Sequence, residues 1–152
     1  MDIYNFIIQN KEVFKIFYTL IIILISAIIV IKAHRLYHLS SHNGLRYFRN
    51  AFFFFGLAFA SRYLLKFFFD IGYLYQFNFI PIYLFEFFLI TGGFFLIYSL
   101  VWKKFEGVES KHSSLFNLIT SIFYILAFIL ALIDFLWGFN HLLFISQIIV
   151  FL

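Results

Sequence analysis

Residues 16–31 read IFYTLIIILISAIIVI, and this uninterrupted apolar run decides the fold class. Extended to Val13, it approaches the roughly 20 residues that a helix needs to cross about 30 Å of hydrocarbon. It is too long for the core of a typical signal peptide, and no small-residue cleavage pattern follows it before Lys32, His34 and Arg35. We therefore interpret it as a retained transmembrane helix.

Three further apolar runs of similar length follow, so we predict spans at about 13–33, 47–69, 79–102 and 115–137. Helices are the form expected for these spans, because the hydrocarbon offers the backbone no water to bond. Pro81 falls in the first turn of the third span, where a missing N–H costs little. The prediction is an all-α polytopic transmembrane helix bundle, forming one integral membrane domain over residues 1–152.

A partial fifth apolar segment occupies residues 141–152, which as a helix would reach only about 18 Å. That is too short to cross the hydrocarbon. Either the segment lies in the interface, or it is a span cut in the middle. We favour the second alternative and expect the reading frame to continue beyond Leu152.

The composition agrees with membrane insertion and excludes several functional classes. Hydrophobic residues make up 64% of the chain and charged residues 12%, whereas ordinary soluble domains have about 45–50% and about 25%. A soluble domain of about 150 residues buries only about 70% of its unfolded surface, so it could not hide this much apolar area. We therefore exclude a soluble enzyme, a nucleic-acid-binding module and a disordered tail. The chain has no cysteine, which excludes disulfides and thiolate metal sites.

The distribution of basic residues predicts the orientation. One juxtamembrane basic loop between the first two spans holds Lys32, His34, Arg35, His38, His42, Arg46 and Arg49. A second basic loop holds Lys103, Lys104 and Lys111, while residues 70–80 carry no lysine or arginine. Since short basic loops stay in the cytoplasm, the N-terminus is predicted to lie outside the cell membrane.

Four ionisable residues lie within or at the edges of the spans: Arg62, Lys66, Glu86 and Asp134. Each costs at least about 2.5 kcal/mol at the bilayer centre, so such residues usually face the bundle interior and find partners. We expect them to form an intramembrane charged cluster near the extracytoplasmic side. Arg62 with Glu86 is the first predicted pair, and Asp134 with Lys66 or Arg62 is the second. The cluster is either a functional site or a structural ion pair that fixes helix register.

Helical periodicity places these charges beside small residues. The predicted stripes are Lys15, Thr19, Ser26 and Ala33 on the first helix; Ala51, Ala58, Arg62 and Lys66 on the second; Glu86 and Gly93 on the third; and Thr120, Ala127, Ala131 and Asp134 on the fourth. Small residues permit close helix approach. We expect most of the remaining phenylalanine, isoleucine and leucine to form a lipid-facing coat.

Catalytic and metal chemistry find little support in the sequence. His34, His38 and His42 recur every four residues, but three such positions drift by about 40° per step and span about 12 Å, so one ion cannot be shared by all three. No zinc-protease helix, nucleophile elbow or phosphate loop is present. We predict no enzymatic activity, no metal and no cofactor.

The stretch from Leu36 to Arg62, which includes LYHLSSHNGLRYFRNAF and FGLAFASR, resembles a stretch in uncharacterised archaeal multi-pass membrane proteins. It is also similar in texture to N-terminal membrane sensor regions of prokaryotic signalling proteins. The resemblance implies a membrane module that precedes a cytoplasmic output domain.

Three functional hypotheses follow. The first is a non-enzymatic sensor or interaction module that works through the charged cluster. The alternative is a small ion- or proton-coupled transporter or channel component, and a membrane enzyme acting on a lipid ranks below both. The expected partners are the lipid bilayer, anionic headgroups at the cytoplasmic loops, and a second copy or another membrane protein, with no nucleic acid.

Overall fold

The structure is a computed structural model that describes residues 10–40, 42–71, 79–102 and 114–137. Its long helices are α1 (Lys11–Ser40), α2 (Asn43–Phe59), α4 (Phe79–Val101) and α5 (Ser114–Trp137). A π-helical segment (Ala60–Leu65) and the short α3 (Lys66–Ile71) continue directly from α2. No strand occurs in these ranges.

Within the described residues, four helical segments are long and apolar enough to span a membrane. They are Val13–Ser40, Asn43–Phe69, Phe79–Val101 and Leu118–Leu136, each with a mean hydropathy between 1.5 and 2.7. This confirms the prediction of a multi-pass, all-helical membrane protein. The predicted partial segment at 141–152 lies outside the described residues.

The first two spans extend further than predicted, because their helices continue past the end of the apolar runs. α1 reaches Ser40, seven residues beyond the predicted end, and α2 begins at Asn43, four residues before the predicted start. Polar side chains from Lys32 onward end the hydropathy signal without breaking the helix, since neither glycine nor proline interrupts it before Ser40. His42, with φ −83° and ψ 109°, lies between α1 and α2 in an extended conformation.

The helices pack as a row in which α2 and α4 are the central pair. α1 packs against α2 and the π-helical segment, while α5 packs against α4. The outer faces of α1 and α5 expose large apolar side chains such as Leu24 (61%) and Leu136 (69%). These faces are suited to contact with lipid, as predicted for the apolar coat.

Two of the predicted small-residue stripes lie in the interfaces. Thr19, Ser26 and Ala33 are buried on α1, and Ala127, Ala131 and Asp134 are buried on α5, whereas Lys15 is exposed. A Cβ added to Gly56 would lie 3.2 Å from the Cβ of Ser26, so α1 and α2 approach each other closely at this position. Small side chains thus let these helices approach closely.

The centre of the molecule is aromatic, which the lipid-facing interpretation of the phenylalanines does not anticipate. Phe54 of α2 stacks on Phe95 of α4 with ring centroids 5.5 Å apart and planes inclined by 6°. Tyr47 extends this stack on α2, and Phe123 of α5 meets Phe95 edge to face at 5.4 Å. Phe53, next to Phe54, is half exposed, so only one side of the phenylalanine run points outward.

Candidate functional site

The candidate site is built around two carboxylates on adjacent helices. Glu86 on α4 is 5% exposed, and Asp134 on α5 is 4% exposed. Glu86 lies seven residues after the start of α4, and Asp134 lies three residues before the end of α5. The start of α4 and the end of α5 lie at the same end of the helix bundle. Measured along the two helices, Glu86 lies about 10 Å and Asp134 about 5 Å from that end.

Glu86 is within electrostatic range of both a negative and a positive group. The negative group is Asp134 and the positive group is Arg62. Burial strengthens interactions between such charges, because a low-dielectric environment screens them less than water does. The structure therefore brings three of the four predicted cluster residues into one electrostatic group.

Arg62 is placed at the exposed edge of this group. Its guanidinium carbon lies 4.5 Å from the centroid of the Phe85 ring and 5.9 Å from that of Tyr63. Both distances fall within the range of cation–π attraction, which holds a cation at an aromatic face. Among the described residues no direct ion pair joins Arg62 to Glu86, so the predicted pair is replaced by a longer-range interaction alongside Phe85.

The π-helical segment explains why the predicted stripe of the second span changes at Ala58. Ala51 and Ala58 are buried as predicted, but Arg62 and Lys66 are exposed, and Ser61 is buried at 3% instead. A π-helical turn contains more residues than an α-helical turn, so a stripe drawn at 100° per residue cannot be extended through it. Ser61 Oγ, in this segment, donates a hydrogen bond of 2.8 Å to the carbonyl oxygen of Ala58 in α2.

Tyr83 is a polar residue of this interface that the sequence interpretation missed. Its ring meets Phe128 and Phe135 of α5 edge to face, with centroids 6.1 and 6.3 Å apart. Its hydroxyl oxygen is buried and makes no hydrogen bond to the described part of the chain. The signal for it was the spacing, since Tyr83 and Glu86 are three residues apart and therefore share a face of α4.

A second polar region lies where the end of α1 meets the start of α2. It is at the end of the helix bundle opposite to the carboxylates. The predicted basic loop is helical apart from its turn: Lys32, His34, Arg35 and His38 lie on α1, and Arg46 and Arg49 lie on α2. The correction has the same cause as the extended spans, since charged residues at the end of a span are solvated without leaving the helix. The predicted second basic loop, at residues 103–111, lies outside the described ranges.

The α1–α2 turn is fastened to the end of α4 by an aromatic contact. The His42 ring meets Trp102, the residue that follows α4, edge to face with centroids 4.5 Å apart. Trp102 is 4% exposed, and a Cβ added to Gly44 would lie 2.5 Å from its indole ring. Gly44 therefore leaves the space that Trp102 fills, and this tryptophan is an interhelical packing residue.

Neither the metal-ligating side chains of the described residues nor comparison with known proteins assigns a function to this site. No group of three histidine, aspartate or glutamate side chains suited to a metal ion occurs in residues 10–40, 42–71, 79–102 and 114–137. Comparison of the chain with protein-family models, with curated proteins and with solved structures finds no match in any of the three.

Proposed function

We propose that the chain is a non-enzymatic multi-pass protein of the cell membrane and acts as a sensor or interaction module through Glu86 and Asp134. The observation that carries the proposal is the burial of two carboxylates from neighbouring helices within electrostatic range of each other. Intramembrane ionisable residues are costly, and such residues commonly mark ion, proton or ligand pathways.

The sensing element in this proposal is the interface between α4 and α5. α5 flanks the central pair and packs mainly on α4, so its position depends on few partners. Two negative charges at this interface repel each other, and neutralising one of them removes that repulsion. A proton or a bound cation at the carboxylates therefore draws α5 toward α4, which converts an external signal into a change of helix packing.

The proposed orientation places this interface on the extracytoplasmic side and the α1–α2 turn in the cytoplasm. Its support is the positive charge of the α1–α2 end, where Lys32, Arg35, Arg46 and Arg49 lie on two adjoining helix ends. The basic end then faces anionic headgroups of the cytoplasmic leaflet, which are the proposed lipid partners.

Disulfide crosslinking between α4 and α5 tests the sensor proposal. The natural chain has no cysteine, so Phe79→Cys with Phe135→Cys introduces the only thiols, at rings whose centroids lie 5.9 Å apart. We expect Glu86→Gln or Asp134→Asn to raise the crosslinking rate at least about threefold, because each variant removes one of the two negative charges that repel each other. A Ser26→Cys and Gly56→Cys pair between α1 and α2 is the matched control and should not respond.

Three outcomes separate the hypotheses. Unchanged 79–135 crosslinking in both neutral variants contradicts the sensor proposal. Loss of the folded state in both variants assigns the carboxylates to structure alone. Cation or proton flux into proteoliposomes that Glu86→Gln abolishes favours the transporter or channel alternative.

A further inference from the structure

The contact between α1 and α2 near their turn joins two basic side chains instead of an acid and a base. Arg49 Nη1 lies 3.0 Å from His34 Nδ1. Because arginine always donates, the imidazole accepts at this atom. His38 adds a third nitrogen-rich group, its ring meeting that of His34 edge to face with centroids 4.5 Å apart.

Arg49 is held in a fixed orientation by its neighbour on α2. Its Nε and Nη2 atoms donate to Asn50 Oδ1 at 3.4 and 3.1 Å. A guanidinium carries five N–H groups, and these contacts together with His34 use three of them. One N–H on each terminal nitrogen remains, and guanidinium N–H groups are suited to bind phosphate oxygens.

Within residues 10–40, 42–71, 79–102 and 114–137, no aspartate or glutamate lies beside this group. The sequence has no aspartate or glutamate between Val13 and Phe69, while Lys32 and Arg35 flank the cluster on α1. The buried carboxylate of Glu86 lies 15 residues before the end of α4, about 22 Å away along that helix. His34 and His38 are exposed and Arg49 is half-buried, so an anion can reach them.

The depth of the cluster matches that of lipid phosphates. His34 lies six residues before the end of α1, and Arg49 lies six residues after the start of α2, so both are about 9 Å from the turn. The apolar run of α1 ends at Ile31, and His34 lies three residues beyond it, about 5 Å along the helix. The headgroup region adds about 5–7 Å on each side of about 30 Å of hydrocarbon, so His34 lies at the level of that region.

We propose that His34, His38 and Arg49 form a binding site for the phosphate of an anionic phospholipid. The phosphate oxygens accept hydrogen bonds from the two remaining N–H groups of Arg49 and from the imidazole N–H groups. These hydrogen bonds bridge α1 and α2. The proposal rests on the membrane orientation given above but not on the sensor role of Glu86.

Titration of the purified full chain in detergent tests this site. The probes are water-soluble dihexanoyl phosphatidylglycerol, dihexanoyl phosphatidylcholine and inorganic phosphate, and the readout is the thermal unfolding midpoint as a function of probe concentration. We expect dihexanoyl phosphatidylglycerol to raise the unfolding midpoint in a saturable manner. At the same concentrations, dihexanoyl phosphatidylcholine should raise it much less, and inorganic phosphate should not raise it.

Variants distinguish a built site from diffuse attraction. Arg49→Gln should weaken apparent binding about tenfold or more, because it removes charged hydrogen bonds. Arg49→Lys keeps the charge and the fold but loses the fork, so it should also weaken binding clearly. Arg35→Gln is the matched control with the same charge change on an exposed neighbour of His34, and should cost at most about threefold.

Four results would overturn the proposal: equal losses in Arg49→Gln and Arg35→Gln, equal binding of the two lipids, full reproduction of the effect by inorganic phosphate, or wild-type binding by Arg49→Lys and His34→Ala. The Glu86→Gln variant should bind dihexanoyl phosphatidylglycerol as the wild type does. Its behaviour therefore separates failure of this site from failure of the sensor proposal.

Discussion

At the scale of single residues, Gly92 determines how closely α4 approaches α2. A Cβ at this position would lie 2.8 Å from the Phe55 ring and 3.1 Å from the carbonyl oxygen of Ala51, which belongs to the backbone of α2 and cannot turn aside. We predict that Gly92→Ala lowers the free energy of unfolding by about 1–3 kcal/mol through overpacking. Thermal or denaturant unfolding in detergent micelles measures this change.

Gly56→Ala is the matched control for this prediction. Its Cβ would meet only the side chain of Ser26, at 3.2 Å, and alanine gains about 1 kcal/mol in helix propensity over glycine. The control should therefore lie near the wild type, within about 1 kcal/mol. A Gly92→Ala variant as stable as Gly56→Ala would show that α2 and α4 do not pack through these positions.

The basic turn offers a second comparison at the residue scale. Gly44→Ala brings a methyl group to 2.5 Å from the indole of Trp102, which is buried and has little room to move. We expect a loss of about 1–3 kcal/mol, together with a change in the intrinsic fluorescence of Trp102. A Trp102→Leu background should absorb the added methyl group, and undiminished destabilisation there would contradict the proposed clash.

At the scale of helices, α1 is held to α2 by its small side chains. Ser26 is 6% exposed in this interface, whereas its neighbour Ile25 is 52% exposed on the outer face. We predict that Ser26→Leu separates α1 from α2 and lowers the unfolding midpoint by several degrees, because a large side chain prevents close approach. Ile25→Leu, which changes only the outer face, should leave the midpoint unchanged, and equal effects would exclude this interface.

The sequence predicts helices and helix faces well where a single physical rule applies. Spans follow from the length of apolar runs, so the bounds of the third and fourth are within about a residue of Phe79–Val101 and Ser114–Trp137. The stripe of Ala127, Ala131 and Asp134 follows from α-helical periodicity. The same rule fails beyond Ala58, because nothing in the local composition announces a π-helical segment.

The candidate site is less predictable than the helices that carry it. The burial of Glu86 and Asp134 follows from the cost of charge in a membrane, and their common level follows from counting residues. The position of Arg62 does not, since its long side chain has two competing partners, a carboxylate and the Phe85 ring. The contact of His34 with Arg49 joins two helices, and the register of that packing has no signature within either helix.

At the scale of the whole molecule, the two ends of the helix bundle differ in charge, and this difference predicts the orientation in the membrane. One end carries Lys32, Arg35, Arg46 and Arg49, whereas at the other end Lys15, Arg62 and Lys66 lie at the same level as the carboxylates of Glu86 and Asp134. Basic ends are retained in the cytoplasm during insertion. We therefore predict that Ser40 is cytoplasmic and Phe79 is extracytoplasmic.

Labelling with a membrane-impermeant maleimide measures this directly, because the natural chain offers no competing thiol. Phe79→Cys, at a position 47% exposed, should react in intact cells, while Ser40→Cys should react only after permeabilisation. Replacing Lys32, Arg35, Arg46 and Arg49 together by glutamine removes the retention signal from this end, so a mixed orientation is expected in that variant. Labelling of the Ser40→Cys variant in intact cells would show that the orientation is opposite to the predicted one. It would then place the phosphate site in the outer leaflet and the carboxylates on the cytoplasmic side.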